Sequence, residues 1–410
     1  MRSFNIPDHF RSPIISRVKA KRKQLDPRKK DFSPATLDFG PVKIQLARHF
    51  GFCFGVENAI EISYKAIAEN PDKRIFLLSQ MIHNSEVNED LESRGVKFLQ
   101  DTLGNEITSM DDLKAEDVMI IPAFGATLEI QAKLVEKGVD VLKYNTTCPF
   151  VEKVWKRSAK LGSENYTIII HGKPDHEETR VTFSHAANEG HAIIVADIAE
   201  AKHLVDLLKR QGKGEKISKE FFSLFAERTS DGFNPDSDFE KVGVVNQTTM
   251  IATETQEIAD MVKDVVGQER FANTKDTLCY ATNDNQRSTL GALDESSADI
   301  AIVVGGYNSS NTSHIVELCE KQMPTFFIRN ELEWECNGSV NHFNIHSGSM
   351  NRSSGFLPKD GTILITSGAS CPDASMERVL MKILDFYNCE ENVVKDVEYV
   401  LKTWEQTHTT

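Results

Sequence analysis

The sequence has no pair of cysteines separated by two residues, although it carries seven cysteines, at 53, 148, 279, 319, 336, 371 and 389. That absence disfavours zinc ribbons and thioredoxin-like redox motifs. An odd, widely spaced set also does not read as the disulfide framework of a small secreted domain. A metal held by these residues must draw its ligands from distant parts of the chain. The sequence further lacks any apolar run of the roughly 18 to 20 residues that a membrane-spanning helix needs, and its first residues lack the apolar core of a secretory signal. Excess positive charge is missing too: the formal net charge is -14 over 410 residues, which argues against a broad electrostatic grip on nucleic acid. Neither nucleic acid nor a membrane is therefore expected as a partner. The expected location is cytoplasmic, with an organelle stroma as the less favoured alternative.

What is present is a chain with 40% hydrophobic and 26% charged residues, long enough for two or three domains that each bury a core. The basic stretch SPIISRVKAKRKQLDPRKK reads as a solvated or loosely docked extension, with an interaction arm as the alternative. Asp38-Phe39-Gly40-Pro41 reads as a linker. Beyond it, short apolar runs alternate with amphipathic stretches, the pattern of α/β units on mostly parallel sheets. RIFLLSQ, VMIIP, YTIII, VGVVN, IAIVV and GTILIT each end in a turn rich in Gly, Ser, Thr, Asn or His, followed by a predicted helix. In open α/β sheets, ligands gather beyond such strand ends. Two of these ends fall in each third of the chain. The expected fold is thus α/β, with three similar α/β domains on mostly parallel sheets at 43–146, 147–276 and 277–388, facing a shared centre. A basic extension over 1–42 precedes them and a tail helix within 389–410 follows. The segment from Gly212 to Lys241 reads as a surface insertion.

One cysteine in each third lies where a strand gives way to a helix: Cys53 in RHFGFCFGVENAIE, Cys148 in NTTCPFVEKVWK and Cys279 in TLCYATNDNQ. Unpaired N–H groups at a helix start favour the thiolate. Pro149 suits the first turn of a helix, and Gly51 and Gly55 let the backbone approach a bulky ligand. Three thiolates from separate domains could hold an iron–sulfur cluster between them. Cubane clusters normally take four cysteines, so three leave one iron open as a Lewis acid. Each of these cysteines taken alone is more readily read as a buried, inert core thiol. Cys319, on the apolar face of HIVELCEKQM, fits that description, and Cys336, Cys371 and Cys389 show no usable pattern.

Around the thiols, the strand ends supply His83-Asn84, His176-Glu177-Glu178-Thr179, Gln247-Thr248-Thr249, Asn308-Ser309-Ser310-Asn311 and Ser367-Gly368-Ala369-Ser370. Any one of these is an ordinary helix cap. Their recurrence in every third, beside the candidate thiolates, points to a phosphate or diphosphate guest. Glu178 is a candidate proton donor, and the histidines can bind an anion or pass protons.

Taken in order, GFCFGV, IHNSEV, TTCPFVEKV, HGKPDHEET, NQTT, CYATNDNQ, NSSNT and SGASCPD resemble the 4-hydroxy-3-methylbut-2-enyl diphosphate reductase family, over Arg48 to Phe386. The resemblance implies one 4Fe-4S cluster bound by Cys53, Cys148 and Cys279, with one open iron site that receives the hydroxyl of an allylic diphosphate. It implies that His83, His176, Ser309, Ser310, Asn311 and Ser370 bind the diphosphate, that Glu178 delivers protons, and that Thr248 positions the substrate hydroxyl and its water. The implied reaction removes the allylic hydroxyl by two-electron reduction, giving isopentenyl and dimethylallyl diphosphates, the last step of the non-mevalonate isoprenoid pathway. One position departs from the shorter family members: Phe124 in IIPAFGAT stands where they carry a diphosphate-binding histidine. The insertion, the N-terminal extension and FNPDSDFEKVGVVNQTTM resemble the longer, plant and cyanobacterial-like branch. That implies a ferredoxin or flavodoxin-type electron donor, which the basic arm would meet as an acidic carrier. Two other classes weigh less. A non-redox sensor needs no proton donor at Glu178, and a hydrolase with a cysteine nucleophile leaves two of the three thiols idle.

Overall fold

The computed structural model describes residues 4–272, 277, 279–295, 297–335, 338–389, 391 and 393–408. Cys336 lies outside them. Each apolar run becomes a strand: Ile75–Leu77, Val118–Ile121, Thr167–His171, Val242–Asn246, Ile300–Val304 and Gly361–Ser367. Nearly every position in them is buried. Continuous β-branched runs of this kind suit parallel strands covered on both faces, where neither face alternates with water.

Among the described residues most strands form three α/β sheets, and Val340–Asn344 and Ser349–Ser353 form a separate antiparallel pair. In the first, Val96–Phe98, Ile75–Leu77, Val118–Ile121 and Tyr144–Asn145 run parallel in that order. In the second the order is Phe271–Ala272, Val242–Asn246, Thr167–His171 and Ala192–Val195, again all parallel. The third has five strands, Ala35–Asp38, Val42–Leu46, Gly361–Ser367, Ile300–Val304 and Thr325–Ile328, parallel except for the first pair. The chain forms two compact units. One comprises Met1–Glu57, His83–Ser85 and Tyr280–Thr410, and the other Asn58–Ile82 and Glu86–Cys279. The five-stranded sheet belongs to the former. Ile44, Leu46, Ile302 and Ile365 pack one of its cores with Val379 and Ile383, while Ala301, Val303 and Leu364 join Ile315, Val316 and Phe327 in another. Alternate residues of one strand thus feed two cores, as the two-residue side-chain period of a strand requires.

Four segments depart from their expected form. Val42–Leu46, expected to open the first domain, pairs in parallel with Gly361–Ser367 and so joins the sheet of the C-terminal third. Its pairing is non-local, which a local apolar pattern does not encode. The supposed linker at Asp38 to Pro41 is the turn of an antiparallel hairpin, in which Leu37 faces Ile44 and both are buried. The supposed surface insertion is anchored inward: Phe221, Phe225, Phe233 and Phe239 are all buried against the second sheet, with ring centroids 5.1 to 5.8 Å apart. Finally, the basic extension, read as solvated or loosely docked, is firmly docked. It holds the helix Pro13–Leu25, capped where the Ser12 hydroxyl accepts the Ile15 N–H at 2.8 Å, and docked through buried Ile14, Ile15 and Val18. The tail forms the helix Val393–His408, with Val393 and Val397 buried in the same core. Among the described residues no helix is long and apolar enough to cross a membrane.

Candidate active site

In the unit that holds the first two sheets, Thr167–His171 and Val242–Asn246 pair in register with His171 opposite Asn246. The residues just beyond these partners therefore emerge side by side. His176 caps the helix Glu177–Glu189, its Nδ1 accepting the Glu178 N–H at 3.2 Å. In the neutral ring this makes Nε2 the donor, the form that hydrogen-bonds an anion. Glu178 is buried, and its carboxylate accepts both the Thr248 backbone N–H and the Thr248 hydroxyl, the latter at 2.9 Å. Burial raises the Glu178 pKa to about 7, against the lowering effect of the two Thr248 bonds. Gln247 ties the two strand ends together: its side-chain oxygen accepts from the Lys173 N–H and from the Thr179 hydroxyl, at 3.1 and 3.0 Å. Phe124 sets its ring edge-on to His176, centroids 5.7 Å apart. Phe124 thus puts a hydrocarbon wall beside His176.

Cys148 is the N-cap of Pro149–Ser163, as expected, but its thiol is not acidic. Burial pushes it up to about 12, the charges of Cys279 and Glu178 add to that, and the N–H groups of Phe150 and Val151 at the helix start only partly oppose it. Desolvation outweighs the helix terminus here. Cys279 is buried in the same unit, just ahead of the helix Tyr280–Glu295.

The other unit gathers the hydroxyl and amide ends. Ile300–Val304 and Gly361–Ser367 pair with Val304 opposite Ser367, so the turns after them are neighbours. The Ser370 hydroxyl donates to the His83 carbonyl at 3.2 Å and reaches the Ser309 hydroxyl at 3.4 Å. Ser309 caps the helix Ser310–Glu320 by accepting the Thr312 N–H at 3.3 Å. Gly306 lets the His83 segment approach, since a Cβ at 306 would collide with the His83 carbonyl. Ser310 and Asn311 are 4% and 3% exposed, yet the Ser310 hydroxyl and both polar atoms of the Asn311 amide have no hydrogen-bond partner among the described residues. Buried polar groups are normally paired, so these three atoms are a prepared set for a polar guest. Cys53 adjoins this cluster, its N–H donating to the carbonyl of Ala369, next to Ser370, at 3.1 Å.

Each unit thus brings together its own share of the expected residues: Cys148, Cys279, His176, Glu178 and Thr248 in one, and Cys53, His83, Ser309, Ser310, Asn311 and Ser370 in the other. Among the described residues no group of three or more His, Cys, Asp or Glu side chains gathers as a metal site. Cys319 is a core thiol, fully buried against Ile315 and Val316, and Cys371 is also fully buried. Sequence reasoning missed Thr312, whose hydroxyl donates to Ser309 at 2.8 Å, and Asp373 and Lys19, which flank Gly51. A threonine three residues past a helix cap is a legible signal; the other two meet only through tertiary packing.

Comparison with known proteins gives the family and the fold. The family model described as LytB protein matches residues 44–384. A 4-hydroxy-3-methylbut-2-enyl diphosphate reductase of a Synechococcus species is 36% identical over 366 residues, 87% of this chain and 88% of the relative. The enzyme of the same name from a Nostoc species is 36% identical over 357 residues, 85% of this chain and 86% of its own. Among solved structures, the E-1-hydroxy-2-methyl-but-2-enyl-4-diphosphate reductase of Plasmodium falciparum shares the fold, with a TM-score of 0.62 at 21% identity over 83% of this chain and 87% of that one. The chain belongs to the LytB family, that of the 4-hydroxy-3-methylbut-2-enyl diphosphate reductases.

Proposed function

We propose that this chain reduces 4-hydroxy-3-methylbut-2-enyl diphosphate to isopentenyl and dimethylallyl diphosphates, with a 4Fe-4S cluster held by Cys53, Cys148 and Cys279. The reaction breaks one C–O bond and forms one C–H bond, taking up two electrons and two protons and releasing water. The observation that carries this reading is a buried carboxyl with a pKa raised to about 7, set in one unit with the buried Cys279 thiol and the half-buried Cys148 thiol. Soft sulfur donors suit iron, and a buried thiol that holds its proton tightly is one whose proton a metal ion must replace. When bound, the cluster supplies electrons and, at an iron lacking a protein ligand, a Lewis acid for the leaving hydroxyl.

Glu178 gives up a proton near neutral pH, which a carboxyl of ordinary pKa does poorly. Thr248 orients that carboxyl through two bonds and offers its hydroxyl oxygen toward the substrate hydroxyl and the departing water. His83, His176, Ser309, Ser310, Asn311 and Ser370 take the diphosphate. Phe124 contributes ring contact to His176 rather than an anion contact of its own, which leaves more of the binding to His176. A ferredoxin or flavodoxin-type protein is the electron donor in this reading.

The test is anaerobic iron and sulfide analysis with Mössbauer spectroscopy on wild type and Cys148→Ser, before and after adding the hydroxylated diphosphate. A cubane cluster that depends on Cys148, with one iron whose signal moves on substrate addition, is the expected result. A wild type that takes up no iron when reconstituted without oxygen would sink the proposal.

A further inference from the structure

The loop Arg48 to Cys53, which carries the first cysteine, is gripped by the N-terminal segment through contacts of several kinds. The Lys19 ammonium donates to the Phe50 carbonyl at 2.8 Å, lies 4.3 Å over the Phe50 ring, and pairs with Asp373. Gly51, at φ +79°, sits so close to Lys19 and Asp373 that a Cβ would collide with both. The Arg48 guanidinium, itself buried, donates to the carbonyls of Arg22 and Asp26 at 3.3 and 3.2 Å, which ties the loop's start to the end of the helix Pro13–Leu25. On either side of Cys53, Phe10 meets Phe52 with ring centroids 6.0 Å apart, and Phe4 meets Phe54 edge-on at 4.9 Å. Phe4 and Phe10 are themselves buried, held by Arg11, which donates to the Phe4 carbonyl at 3.0 Å.

We propose that the N-terminal segment is a clamp on the Cys53 loop, with Lys19 as its positioning residue and Phe4 and Phe10 as its cover. The clamp sets the backbone from which the Cys53 sulfur reaches iron and limits access to that sulfur from solvent. This rests on the reading of Cys53 as a cluster ligand, but the grip on the loop is testable without the cluster. An ammonium satisfying a loop carbonyl and a carboxylate together removes two ways for the loop to open, and aromatic contacts on both sides of the cysteine oppose local unfolding.

The experiment uses the full chain, freed of iron and kept reduced, treated with iodoacetamide, with alkylation of Cys53, Cys148 and Cys389 followed by peptide mass spectrometry. Cys389 reports on the same unit, where its thiol packs toward the Phe39 carbonyl, and Cys148 reports on the other. Lys19→Met, and separately the double variant Phe4→Ala with Phe10→Ala, should speed alkylation of Cys53 about tenfold and leave the other two within about twofold. Lys19→Arg should restore most of the protection. After reconstitution, the Lys19→Met protein should lose iron in air faster than wild type. Cys53 reactivity unchanged in both variants, or a parallel rise at all three cysteines, overturns the clamp, the latter by showing only general loss of stability. A wild type that binds no iron overturns the cluster reading instead, and leaves the alkylation result to judge the clamp.

Discussion

Glu178 is a carboxyl whose two oxygens both face Thr248 in a buried setting, and its titration follows from that. Its proton is held below about pH 7 and lost above. Turnover with a small-molecule reductant should therefore fall as pH rises through that value, and Glu178→Gln should remove this limb while lowering turnover by about 10² to 10⁴. A pH–rate profile of both proteins checks this. The stability sign runs the same way. The folded pKa lies above the unfolded one, so the stabilisation is complete below the unfolded value and is lost as pH rises through about 7. Iron-free Glu178→Gln should then melt above wild type at about pH 8 and show no such gain at about pH 4. Asn311 separates binding from folding in a different way. A buried amide without a protein partner loses nothing on becoming apolar, so Asn311→Leu should melt no lower than wild type yet raise KM for the diphosphate substrate about tenfold or more. Loss of stability with KM intact would make Asn311 a core residue.

At the scale of elements, parallel pairing is what turns six separate strand ends into clusters. His171 opposite Asn246 delivers Glu178 to Thr248, and Val304 opposite Ser367 delivers Ser309 to Ser370. Helix starts then fill these ends with N–H groups and short polar side chains, which is where an α/β sheet receives an anion. The segment between Gly212 and Lys241 is an element of another kind, stapled to its sheet by four phenylalanines. Phe221 is fully buried among three of their rings, so Phe221→Ala should cost about 3 to 5 kcal/mol, read by chemical denaturation. A true surface insertion would lose less than about 0.5 kcal/mol.

For the whole molecule, charge distribution decides how an electron carrier approaches. The basic N-terminal segment gives much of its charge to ion pairs within the chain: Arg17 with Glu398, Lys19 with Asp373, Arg22 with Asp31 and Lys29 with Asp284. With a net charge of -14, the protein as a whole repels an acidic carrier. Reduction by ferredoxin should accordingly hold steady or quicken as ionic strength rises from about 20 to 200 mM, because salt screens that repulsion. A steep slowing over the same range, measured by stopped-flow oxidation of the carrier, would restore the basic segment as a docking site.

By itself the sequence determined the strands, because their buried apolar runs are local signals, and it marked the three thiols and the polar ends, because strand-to-helix junctions carry recognisable residues. The placement of Cys53, Cys148, Cys279 and Glu178 at helix starts was legible on that basis. Tertiary structure alone decided the rest. Val42–Leu46 found its partner more than three hundred residues away, at Gly361–Ser367, through hydrogen bonds that no local pattern specifies. Charged residues of the N-terminal segment read as solvated until packing paired them, and phenylalanines in a polar stretch read as surface until a sheet face accepted them. The Cys148 thiol shows the same division: its place at a helix start was readable, but its high pKa was not, since desolvation depends on everything folded around it.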